Sequence, residues 1–208
     1  MKFAGRVAQR VAQPDAQQYL ALYLIAMLFA LMAAWPTDST PVNDAWFTLA
    51  YTRAAALGLL GLGYGASKAA ASPAEQALTA AMLGLFALLA LPLELAAYAA
   101  SYPATPLPWV VPLPALTALA MYGLGLLLGK FLGLLRLQPL VPIAVPAALA
   151  GMVALDVGLG LNLLNPFTAA VRVSWAHLAL LGSATTALII ALARGLHLEH
   201  RSRGAPHR

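Results

Sequence analysis

The chain has 208 residues, of which 62% are hydrophobic and only 9% charged. Soluble domains carry roughly 25% charged residues, so this composition, with a mean hydropathy of +0.80, excludes an ordinary water-soluble fold and predicts an integral membrane protein. With no cysteine, the chain has no disulfides, no thiolate metal site and no cysteine nucleophile. The net charge of +5 acquires a meaning only from where the basic residues fall.

In chain order, residues 1–17 come first. Lys2, Arg6 and Arg10 fall four apart, and so do Phe3, Val7 and Val11. On a helix these form adjacent basic and apolar stripes, as an interfacial helix needs, and Pro14 separates the segment from the first apolar stretch. An amphipathic elbow helix and a basic tail that fixes topology are both open readings.

Six apolar stretches come next, at 18–35, 47–66, 77–98, 109–133, 140–162 and 174–194, each near the roughly 20 residues that cross a hydrocarbon core. Backbone groups in lipid must bond within their own segment, so these are helices. The predicted fold is all-α: a six-helix transmembrane bundle over 18–194 with a basic cytoplasmic tail at 195–208. The first stretch, "YLALYLIAMLFALMAAW", exceeds the roughly 7–15 residues of a signal-peptide core and ends in no small-x-small cleavage site, so a retained helix is expected.

The connections are short and rich in Pro, Ser, Thr and Asn. Lys2, Arg6, Arg10, Lys68, Lys130, Arg136, Arg194, Arg201, Arg203 and Arg208 lie on one side of this layout; 36–46 and 99–108 have no Lys or Arg, and 163–173 has only Arg172. That asymmetry predicts both termini in the cytoplasm and a plasma-membrane protein. The positive charge is then a topology signal, and no nucleic-acid partner is expected.

Several stretches imitate known sites and fail on geometry. Gly63-Tyr64-Gly65 matches part of a potassium filter, which needs a re-entrant loop of stacked carbonyls, whereas here it ends a full-length span. Ser67 and His177 imitate a serine-histidine dyad, but the topology places them most of a bilayer apart. His197 and His200 fall in a basic end that reads as solvated. No constellation of nucleophile, base and oxyanion donors survives the topology, so no enzyme activity, metal or cofactor is expected.

Small residues recur at helical spacing: Gly61 and Gly65, then Gly125, Gly129 and Gly133. Gly-x-x-x-Gly lets helix backbones approach closely, so these positions predict faces packed against protein. The intramembrane polar residues Arg53, Glu94, Asp156 and His177 lie on four different spans, each within roughly 10 Å of the outer boundary at 1.5 Å per residue. An isolated charge at that depth costs several kcal/mol, so such groups pair or line a wet cavity. Asp156 is expected to face the bundle, with Arg53 as its partner and Glu94 as the rival. Three readings are open: an ion pair that fixes packing, an outward-open vestibule touching substrate, and a metal site from Glu94, Asp156 and His177, which Arg53 would disfavour by repulsion. Pro92, Pro139, Pro142 and Pro146 predict bends beside these charges.

The whole layout resembles the permease subunit of a type-2 ABC exporter: an elbow helix, six spans and both ends in the cytoplasm. "ASPAEQALTAAMLG" at 71–84 is similar to the loop leading into the third span of those permeases. Residues 122–149 are similar to their fourth-to-fifth-span passage, and "LNPFTAAV" to their outer link before the last span. The acidic Gly-Thr-Leu stretch of the family is missing, and the outer segment before the sixth span is shorter than its usual re-entrant hairpin. The resemblance implies an exporter of a hydrophobic or amphiphilic substrate, working as a homodimer with a separate cytoplasmic ATPase that presses near 68–76; this chain has no Walker-type loop of its own. A second resemblance, over roughly the first 160 residues, is to Yip-type membrane proteins, which implies a non-catalytic scaffold or assembly subunit; the sixth span departs from that family.

Overall fold

The computed structural model describes residues 43–89, 91–101, 107–160 and 174–204, together with residues 21, 23–25, 28, 29 and 32. The expected amphipathic segment at 1–17 and most of the first span lie outside the described residues. Among the described residues every regular element is helical. They are α1 (Asn43–Ser67), α2 (Pro73–Leu89), α3 (Leu91–Ser101), the single turn α4 (Leu107–Val110), α5 (Leu113–Leu134), a 3-10 turn (Gln138–Leu140), α6 (Val141–Leu159) and α7 (Trp175–Gly204).

Among the described residues, three helical stretches are long and apolar enough to cross a membrane: Leu113–Leu134, Gln138–Leu159 and Trp175–Arg201. Helix α1 has 25 residues, but Arg53, Tyr51, Tyr64 and its glycines dilute its apolar character. Over the stretch expected as one span at 77–98, the described residues form the 17-residue α2 and the 11-residue α3, and residue 90 between them lies outside the described residues. At the other end of the chain, the segment expected as a solvated tail from 195 is helical through Gly204, so Arg194, His197, His200 and Arg201 continue α7.

Helix α5 is the centre of the bundle: half of its apolar window is buried, against 17% in each of α6 and α7. Helix α1 lies along it in parallel. Phe86, Leu83 and Met82 of α2 pack with Tyr64, Tyr122, Leu126, Leu188 and Leu192, joining α1, α2, α5 and α7 in one cluster. Tyr23 meets Leu57, Ala87 and Ala118 in a second cluster. Helix α6 attaches to α1 and α5 through Val145 and Leu149, against Leu62, Ala66 and Met121. Ile143, Leu155, Val157 and Leu159 of the same helix face outward.

The connection between α1 and α2 is built rather than loose. Ser72 caps α2 by accepting the Glu75 N–H at 3.3 Å, with Pro73 at the first helical position, where its missing N–H is harmless. Glu75 turns back to Lys68 at 2.6 Å. The Gln76 amide donates to the carbonyls of Lys68 (3.1 Å), Ala69 (3.3 Å) and Ala71 (3.1 Å) in the turn that follows α1. Tyr122 of α5 donates to the Gln76 carbonyl at 3.0 Å and ties the connection to the central helix.

Helix α5 ends in a Schellman motif: Leu137 N–H reaches Leu132 O at 2.8 Å and Arg136 N–H reaches Gly133 O at 3.1 Å. Arg136 occupies the left-handed position at φ 57, where a side chain is strained by roughly 1 kcal/mol or more. Arg136→Gly is therefore expected to raise stability by about 1 kcal/mol in a thermal unfolding measurement; a loss of similar size would mean that the guanidinium contributes more than the backbone strain costs.

Candidate functional site

Helix α6 offers the bundle one narrow stripe. Its buried residues are Val145, Leu149 and Asp156, spaced at i, i+4 and i+11, which is a single helical face. Asp156 is 1% exposed and Arg53 2%; Arg53 is the largest of the fully buried side chains among the described residues. Two charged groups that intramembrane energetics would keep apart from lipid are thus both turned inward.

Packing registers fix their depth. A methyl added at Gly58 of α1 would lie 3.5 Å from the Leu149 side chain, and α6 runs antiparallel to α1, so Asp156, two turns beyond Leu149, comes level with Tyr51 and Arg53. A methyl added at Gly123 of α5 would lie 3.7 Å from Leu188 of α7, and Gly61 faces Ala118 and Met121. Counting back along α1 and α7 from these contacts brings Arg53 and His177 level with the start of α5. The three residues therefore share a depth to within roughly one or two helical turns. Arg53 lies ten residues into α1, deeper from its helix end than the span limit of 47 implied, because α1 starts at Asn43. Glu94 lies on α3, and its side chain is outside the described residues.

His177 has a role that the sequence pattern alone did not assign. Ser174 precedes α7, and its Oγ accepts the His177 N–H at 3.3 Å. In return His177 Nδ1 accepts the Ser174 N–H at 3.2 Å and lies 2.7 Å from Ser174 Oγ. This is a reciprocal capping box with histidine in place of the usual Glu or Gln. Because Nδ1 is the acceptor, the neutral ring carries its proton on Nε2. Ser-x-x-His before an apolar run was the available signal. Both Ser174→Ala and His177→Ala are expected to destabilise by about 1 kcal/mol, and the double variant by little more than either alone, since each removes the same box. Thermal melts of the three variants in detergent check this; fully additive losses would show that the two side chains act separately.

The glycines form a seam. A methyl at Gly61 would lie 2.8 Å from the Ala118 carbonyl oxygen and from Met121 Cβ. At Gly65 it would strike the backbone of Tyr122, Gly125 and Leu126; at Gly125, that of Leu62 and Gly65; at Gly129, that of Ala66. Four of the five glycines thus set α1 and α5 backbone to backbone. Gly133 departs from the expectation: a methyl there would meet only the Gln138 amide, at 3.4 Å, because α1 has ended at Ser67.

Open space lies at the Ser67 end. A cavity of about 720 Å³ is bounded by Ser67, Gly129, Lys130, Gln138 and Pro142 among others, and a groove of about 440 Å³ runs between α5 and α7. Neither is lined by Arg53, Asp156 or His177. Lys130, expected only as a topology marker, borders both. Among the described residues no group of three or more His, Cys, Asp or Glu side chains could hold a metal ion. Comparison of the chain with family models, with curated proteins and with solved structures finds no match.

Proposed function

We propose that the chain is a multi-span plasma-membrane protein with both termini in the cytoplasm, acting as the permease subunit of an ATP-driven exporter of hydrophobic or amphiphilic substrates. The observation that carries this reading is the braced connection between α1 and α2. Gln76 binds three carbonyls there, Lys68 pairs with Glu75, and Tyr122 links it to α5. A push on such a connection moves helices rather than bending a loop. It is the place where a cytoplasmic ATPase would engage, and α6, attached by one stripe, is the helix freest to respond.

The test is capture. Full-length protein carrying Ser72→Cys, an exposed position in that connection, is cross-linked in native membranes. The expected product contains a protein with a nucleotide-binding Gly-x-x-x-x-Gly-Lys loop. Cross-links to other membrane subunits alone would favour a scaffold or assembly subunit.

Orientation has its own test. In the cysteine-free chain, Ser39→Cys is expected to react with an impermeant maleimide added outside intact cells, and Ser72→Cys only after the cells are opened. Equal labelling of both would overturn the six-span topology, which places them on opposite sides.

A further inference from the structure

The groove between α5 and α7 has the shape of a lipid site. Ala120, Gly123 and Leu127 form one wall, and Ala184, Ala187 and Ala191 the other. The small side chains create the space, and Gly123 and Leu188 face each other within it. From Ala120 to Lys130 the groove runs about 15 Å along α5, at 1.5 Å per residue. That is half of a hydrocarbon core of about 30 Å, the depth of one leaflet.

Its ends differ. The Ala120 end is apolar. At the other end stands Lys130, whose side chain is exposed, beside Gln76. The Gln76 amide is already engaged with three carbonyls, which leaves the Lys130 ammonium as the available donor. A second copy's apolar helix seated here would cover that ammonium without a counter-charge, which is costly. An amphiphile one leaflet long with an anionic head satisfies both ends.

We propose that the groove binds one acyl chain of an anionic phospholipid from the leaflet on the Lys68 side, with the lipid phosphate on Lys130. This requires only that α5 and α7 cross the membrane; it does not rest on the transporter reading. One lysine near a membrane surface favours an anionic lipid about fivefold.

Ala187 is exposed within the groove, so Ala187→Cys in the full-length, otherwise cysteine-free chain reports occupancy by its rate of alkylation with N-ethylmaleimide. In mixed micelles, phosphatidylglycerol is expected to slow alkylation at about one-fifth the concentration of phosphatidylcholine with the same chains. Adding Lys130→Gln should bring the two lipids together, and Lys130→Arg should keep them apart. Equal protection by both lipids in the parent protein overturns the proposal, as does a preference that survives Lys130→Gln. Oxidation of Ala187→Cys to a disulfide-linked dimer would also overturn it, by showing that a second copy covers the groove.

Discussion

Gly65→Ala is expected to lower stability by about 1–2 kcal/mol, whereas Gly63→Ala, two residues earlier in the same helix, is expected to raise it by about 0.5–1 kcal/mol. Both changes gain the same helix propensity, because glycine in a helix interior is roughly 0.5–1 kcal/mol worse than alanine. They differ in what the new methyl meets. At Gly63 there is nothing within 4 Å, while at Gly65 the methyl falls onto the Tyr122 carbonyl and the backbone of Gly125 and Leu126. Backbone cannot rotate aside as a flexible side chain can, so α1 and α5 must separate, and overpacking of this kind costs about 1–3 kcal/mol. In lipid there is little hydrophobic drive to bring them back, since the surrounding tails are as apolar as leucine. Reversible unfolding in detergent, with the midpoint followed for both variants, reads the two signs. A larger pair extends the test across the seam: Gly129→Leu should destabilise by about 3 kcal/mol, and Leu127→Phe on the exposed face of the same helix by less than about 0.5 kcal/mol. Losses of the same sign and size at Gly63 and Gly65 would mean that close backbone packing is not what holds these helices.

Spacing alone made this seam legible, since Gly61 and Gly65, and Gly125 and Gly129, recur at i+4, while Gly58, Gly63 and Gly123 fall outside that repeat. What spacing could not supply is the partner and the register. The failure at Gly133 shows why: the repeat continues in sequence, but α1 stops at Ser67 and leaves only Gln138 beside it. A helix pattern states which face is small, and the length of the neighbouring helix decides how far that face is used. The start of α2 was readable in Ser72-Pro73-Ala74-Glu75, a cap followed by proline at the first helical position, yet the apolar window placed it four residues late because charged first-turn residues are invisible to hydropathy. The same window cut α7 short at 194, where Arg194 and the histidines lower the hydropathy without interrupting the helix. Among the polar residues, common depth followed from counting along each span. The inward turn of Asp156 followed from the cost of a charge in lipid, and Val145 and Leu149 share its buried face of α6, whereas the capping role of His177 needed the geometry of Ser174.

Asp156 and Arg53 carry the second large expectation. Both are essentially fully buried, and the packing of Gly58 on Leu149 brings them to a common level. If they share a buried interaction, Asp156→Asn leaves Arg53 with an uncompensated charge, and Arg53→Gln does the same to Asp156. Each single change should then destabilise by about 3–5 kcal/mol. The double variant removes both lone charges together, so its loss should fall short of the sum by about 1–3 kcal/mol. The shortfall is the diagnostic, because any buried charge is costly to strand but only interacting ones couple. Strictly additive losses would separate the two residues and leave Glu94, on the neighbouring α3, as the candidate partner of Arg53. Scoring the same four proteins for the proposed export activity divides structure from function. A packing pair predicts that activity follows stability and that the double variant recovers part of both. A vestibule predicts a different pattern, in which Asp156→Asn abolishes export while the melting temperature stays near that of the parent, and the double variant remains inactive however well it folds. The pattern turns on whether water reaches the carboxylate: a solvated Asp156 loses little on neutralisation, whereas a dry one takes its partner's stability with it.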